Sequence, residues 1–200
     1  MKRALLCDLL FLATGSVLFS QTPPAAPPVI TGVSNSASGL TSIASGSWVT
    51  IYGTALSTTT RAWRASDISG NNLPTTLDGV SVQINGKKAA ISYVSPGQLN
   101  AQAPTDATIG QVPLQVTTAN GTGAFTTTLQ TYSPAFFPLV GSYAAARHNT
   151  DNVPVAPAGA LGSGVTTRAA VPGEVLQVYA TGFGPTTPAC LLYTSDAADE

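Results

Sequence analysis

Val80-Ser-Val-Gln-Ile-Asn-Gly86 decides the fold. Val80, Val82 and Ile84 alternate with Ser81, Gln83 and Asn85, the period of a strand with one face on a core. Asn85-Gly86 then supplies two residues that tolerate positive φ, as a two-residue hairpin turn requires. Ala89 to Val94 is expected to be the return strand of that hairpin.

The same period continues on both sides. Downstream, Gln98 to Ala103 is a short extended piece, and Val112, Leu114 and Val116 alternate with Pro113, Gln115 and Thr117. Pro113 lacks an N–H, so it is expected to face outward on an edge strand or to start a bulge. Ala119-Asn120-Gly121 turns the chain, and Asn120-Gly121-Thr122 is read as that turn, not as a glycosylation acceptor. Phe125 to Tyr132 forms a last strand with Phe125, Thr127 and Leu129 on one face. Upstream, Trp48-Val-Thr-Ile-Tyr52 lies between Gly46 and Gly53, with Trp48 a core candidate, and Val29 to Val33 is a first strand. No stretch after the N-terminal region shows a helical period. Short strands with turn chemistry between them predict an all-β protein, an immunoglobulin-like β-sandwich over 29–132. An up-and-down barrel fits the strand count too, and the sandwich is preferred.

The ends differ from this body. Lys2 and Arg3 precede an apolar stretch from Ala4 to Phe19, too short to span a bilayer, which reads as a signal peptide over 1–20. Export to the cell surface or medium is the expected localisation. Residues 21–28 are a Pro/Ala linker, extended and exposed. At the other end, Cys190-Leu-Leu-Tyr-Thr-Ser-Asp-Ala-Ala-Asp-Glu200 resembles the conceptual translation of a sequencing adapter, so 190–200 is expected to be a non-native tail. Both cysteines lie in these ends, so the body is expected to hold together without disulfides. Between Gln21 and Ala189 the acids are Asp67, Asp78, Asp106, Asp151 and Glu174, and the bases Arg61, Arg64, Lys87, Lys88, Arg147 and Arg168. These near-balanced charges leave no basic patch for nucleic acid.

An internal echo points to a second module. Gly46-Ser-Trp-Val-Thr-Ile-Tyr-Gly-Thr-Ala-Leu56 aligns with Gly173-Glu-Val-Leu-Gln-Val-Tyr-Ala-Thr-Gly-Phe183. Residues 133–171 are then a connection, and 172–189 the first strand of a second, truncated β-module.

Leu73-Pro-Thr-Thr-Leu-Asp-Gly-Val-Ser-Val-Gln-Ile-Asn-Gly86, Tyr93-Val-Ser-Pro-Gly-Gln-Leu-Asn-Ala-Gln-Ala-Pro104 and Pro172-Gly-Glu-Val-Leu-Gln-Val-Tyr-Ala-Thr-Gly-Phe-Gly-Pro185 resemble the IPT/TIG-type immunoglobulin-like family, of the E-set kind. More narrowly they resemble a two-repeat domain of large secreted acidobacterial-type proteins. The resemblance covers most of Val29 to Pro188 and implies a fold and an export route, but no activity. That domain usually ends a long protein, whereas here it follows the signal region directly.

The residues offer little catalytic chemistry. A Ser-His-Asp reading must use His148, with Ser142 and Asp151 nearby, in a stretch that shows no nucleophile elbow; His148 is expected to be an exposed linker residue. Asp67 to Asn72 holds Asp, Ser and two Asn, expected to cap their own turns instead of binding calcium. No catalytic, cofactor or metal residue is assigned, and no enzyme activity is expected. Arg61, Trp63 and Arg64 are the one cluster with a recognition character: an exposed tryptophan between arginines stacks on a sugar ring or anchors a partner. The alternative, a Trp63 folded back over the sandwich edge, is the expected one. The function read from these residues is a structural or adhesive module of a larger extracellular protein. A carbohydrate-binding accessory module attached to a downstream hydrolase is the alternative. The partners implied are extracellular polysaccharide or neighbouring modules of the same chain.

Overall fold

A computed structural model describes residues 25–184; the signal region, part of the Pro/Ala linker and the C-terminal tail lie outside the described residues. The first eleven strands are β1 Val29–Asn35, β2 Ser42–Ala44, β3 Trp48–Thr54, β4 Arg61–Ala62, β5 Thr76–Leu77, β6 Val80–Ile84, β7 Lys87–Lys88, β8 Ala90–Val94, β9 Gln98–Gln102, β10 Gly110–Thr118 and β11 Gly121–Gln130. They form two sheets. One has the order β1-β3-β9-β8-β4, and the other β2-β11-β10-β6-β5 with β7 beside β6. The sheets face each other across one apolar core, so the sandwich is found and the barrel is not.

Alternation sets which side chains enter that core. Val80, Val82 and Ile84 are buried, as are Val112, Leu114 and Val116 from β10 and Leu129 from β11. The opposite sheet contributes Val49, Ile51, Ile91, Val94, Leu99 and Ala101. Trp48 stands one residue out of phase with Val49 and Ile51, so it is only half-buried, on the outer face of its sheet.

Asn85 and Gly86 take φ of 51° and 73°, the hairpin turn expected of them. The return strand differs from expectation. Only Lys87–Lys88 pairs with β6, and Ala90–Val94 pairs with β9 and β4 in the other sheet. The chain crosses the sandwich at Ala89, which is buried and still donates its N–H to Val82 O at 3.0 Å. Pro113 faces outward, but on a central strand, with β11 on one side and β6 on the other. Pairing with β6 begins only at Leu114, and Asn85 N–H reaches Pro113 O at 2.8 Å, so the missing proline N–H falls at the turn and removes no ladder bond.

Six short strands follow: β12 Ala135–Phe136, β13 Pro138–Val140, β14 Tyr143–Ala144, β15 Ala146–His148, β16 Leu176–Val178 and β17 Ala180–Thr181. β12 pairs with β17, β13 with β14 and β15 with β16. Residues 133–171 are therefore paired in part with the strand region expected to open the second module. This segment is also fastened to the sandwich. Asn35 Nδ2 donates to Ser133 O at 2.7 Å, Trp48 N–H to Thr181 Oγ1 at 2.8 Å, and Ser133 Oγ to Ser42 O at 3.0 Å.

Candidate functional site

The Arg61, Trp63 and Arg64 cluster lies on and beside β4, a two-residue strand at the edge of the first sheet. Its three side chains part company. Arg61 Nε and Nη2 donate to Asp78 Oδ1 at 2.9 and 2.7 Å, and Nη1 to Asp67 Oδ2 at 2.7 Å. Thr59 Oγ1 also donates to Asp78, and Arg64 N–H to Asp67 Oδ2 at 2.7 Å. Hydrogen bonds from Arg61 hold both carboxyls below the usual aspartate range. Arg61 therefore fastens the 57–79 loop instead of facing a ligand. Asp67 is bound up in the same node, accepting from Arg61 and Arg64, and Asn72 Nδ2 donates to Ser69 O. Arg64 is exposed.

Trp63 turns inward over the outer face of the first sheet. Its ring meets Trp48 edge-on, with centroids 5.8 Å apart and planes at 80°. Both indoles are carried on fixed backbone: Trp63 N–H donates to Ser92 O at 2.9 Å, and Trp48 O accepts from Ser36 N–H at 3.0 Å. Phe137 completes the corner. Its N–H donates to Tyr179 O at 3.0 Å and its carbonyl accepts from Ala145 N–H at 2.6 Å, both within the following segment, and its side chain lines the same cleft as the two indoles. Ser36, Trp48, Trp63, Ser92, Asn100 and Phe137 line a cleft of about 250 Å³. Asn100 Oδ1 accepts from Gln98 Nε2 at 2.8 Å, which fixes the amide's orientation. The cleft carries no charged side chain. It can hold a small neutral ring between aromatic faces, with hydroxyl and amide groups around it. Of its aromatic residues only Trp63 was marked in the sequence as a recognition residue. Trp48 could have been found from its phase within β3, whereas Phe137 had no signal because its position depends on contacts from Tyr179 and Ala145.

His148 overturns an expectation. It is fully buried, not exposed. Nδ1 meets Glu174 Oε1 at 2.5 Å and Nε2 meets Arg168 O at 3.1 Å, so both ring nitrogens are engaged inside the fold. The cause is β-pairing with a distant strand, since His148 lies opposite Leu176. Arg168 also pairs with Glu174 Oε1 at 2.6 Å and with Asp151 at 3.3 Å, while Ser142 is exposed. The hydrogen bond from Arg168, then those from Val171 N–H and His148, lowers the Glu174 carboxyl to about 2. The cluster is a fastening of loops. Among the described residues, no three His, Cys, Asp or Glu side chains come together to hold a metal, and no helix is long and apolar enough to cross a membrane.

The family comparison bears on the sandwich. Residues 67–134 match the IPT/TIG domain. The sandwich is of IPT/TIG immunoglobulin-like type. The match takes in β5 to β11, and IPT/TIG domains are in general non-catalytic. No curated protein matches the chain. Solved structures with partial likeness include an auxiliary nutrient binding protein from Bacteroides thetaiotaomicron, 16% identical with a TM-score of 0.35, covering 56% of this chain and 22% of that one. Another is an auxiliary nutrient binding protein from Bacteroides ovatus, 16% identical with a TM-score of 0.34, covering 62% and 28%. A third was crystallised with xylogluco-oligosaccharide, 16% identical with a TM-score of 0.35, covering 60% and 23%. This chain thus spans less than a third of each of those proteins.

Proposed function

We propose that this IPT/TIG module is an exported, non-catalytic spacer that holds neighbouring parts of a larger extracellular protein in fixed orientation. The observation that carries this reading is the fastening of residues 133–184 onto the sandwich through Asn35, Ser42 and Trp48. A spacer that orients its neighbours needs such a joint, because a free linker lets them tumble. Export rests on Lys2, Arg3 and the apolar stretch to Phe19.

Residues 172–189 are read here as the opening of a second module of the same kind. The echo supports this through exposure: Val49, Ile51 and Leu56 are fully buried, whereas their counterparts are half-buried at Leu176 and 47% and 54% exposed at Val178 and Phe183. Core-type residues left open in this way fit a sandwich whose facing layer lies elsewhere. Backbone ¹⁵N relaxation tests the spacer reading. A common tumbling time for residues 29–132 and 133–184 is expected, and independent tumbling of the two parts overturns it. A second reading, contact with extracellular polysaccharide, is favoured by the aromatic and amide lining of the Trp48, Trp63 and Phe137 cleft.

A further inference from the structure

The corner between Trp48 and Trp63 has a shape and chemistry that select among ligands, an inference that rests on the polysaccharide reading. The two indoles meet edge to face at 80°, so a ring resting on the open part of one plane abuts the other. A pyranose ring has C–H faces that stack on an aromatic plane and equatorial hydroxyls that project sideways. Asn100, Ser36 and Ser92 stand around the same cleft as amide and hydroxyl partners. No cation or carboxylate lines it; Arg61 is tied to Asp67 and Asp78, and Arg64, next to Trp63 in sequence, is exposed and outside the lining. The lining itself therefore offers an acidic sugar no charged partner. At about 250 Å³ and open to solvent, the cleft has room to seat about one ring of a chain that runs on past it. Phe137 comes from the segment after the sandwich, so the site exists only while that segment is docked.

We propose that this corner binds a single neutral pyranose unit of a polysaccharide, with Asn100 as its main hydrogen-bonding partner and Phe137 as its closing wall. Trp48 and Trp63 are the chain's two tryptophans, so intrinsic tryptophan fluorescence reports on this cleft. The intact protein is titrated with glucose, galactose, mannose and xylose, and with glucuronate as the charged comparison. In parallel, its retention on insoluble cellulose, xylan and mannan is measured. At least one neutral sugar is expected to give a saturable spectral shift, with glucuronate weaker. Asn100→Ala should weaken that response by about 2- to 10-fold, the worth of one neutral hydrogen bond, with circular dichroism unchanged. Phe137→Ala should weaken it as well. A fluorescence signal unmoved by every neutral sugar overturns the site, and so does a response that both variants leave intact. Retention on a polysaccharide with silent tryptophans would keep the polysaccharide reading while placing the contact elsewhere. Absence of both would end that reading too.

Discussion

Asn35 shows how much a single amide carries. It is fully buried, its Nδ2 reaches Ser133 O, and its Oδ1 accepts from Ala37 and Ser38 N–H at 2.9 and 3.2 Å. One side chain thus turns the chain after β1 and holds the start of the following segment. Asn35→Ala leaves buried groups without partners and is expected to cost about 2–3 kcal/mol, read from urea midpoints. It should also speed protease cleavage within 133–184 more than within 29–132. Gly182 belongs to the same joint. Its φ is 82°, and a Cβ there would collide with Ser133 O, so Gly182→Ala should open the joint while leaving the sandwich folded, visible as faster hydrogen exchange at Ser133. The sequence marked neither residue, because an asparagine after a strand reads as a turn and a glycine near another glycine as a loop.

Between elements, the decisive pairings are long-range. β15 and β16 meet across the loop that carries Arg168, and Glu174 joins Arg168 and His148 beside them. The Glu174 carboxyl falls from an ordinary 4.5 to about 2 because Arg168 favours its charged form. A depressed acid stabilises the fold above its ordinary range and loses that contribution as pH falls through its folded value. Glu174→Gln should therefore be less stable than the native chain above about pH 4.5, and the two should converge towards pH 2, measured as urea midpoints across that range. A midpoint difference independent of pH would show that Glu174 acts only by packing. The strand pattern itself was legible: alternation placed the faces of β6, β10 and β11 correctly. The sheet change at Ala89 was not, because alternation looks the same whichever sheet a strand joins. His148 was misjudged for a related reason. Its Gly, Ala and Asn neighbours show no period, and its burial comes from Leu176 and Glu174, more than twenty-five residues away.

Across the described residues, the sandwich and the segment after it differ in how far their large apolar side chains are buried. Twenty buried residues form the sandwich core, with Trp63 and Phe125 packed against it. Beyond Thr131 the large apolar residues Tyr132, Phe136, Tyr143, Val175, Val178, Tyr179 and Phe183 are exposed. The echo makes this difference measurable. Ile51→Ala removes a fully buried side chain and should cost about 2–5 kcal/mol. Val178→Ala, at the matching position, should change stability by no more than about 0.5 kcal/mol. Comparable losses at both sites, measured by urea denaturation, would mean that the second strand already sits in a complete core.

By itself the sequence determined the faces of β6, β10 and β11, the Asn85-Gly86 turn and the all-β class, since each depends on a residue and its near neighbours. The sheet a strand joins, the burial of His148, the sequestering of Arg61 and the meeting of Trp48, Trp63 and Phe137 were decided only by tertiary structure. Each of these brings together residues far apart in the chain, and a period of two carries no information about which distant strand will lie alongside.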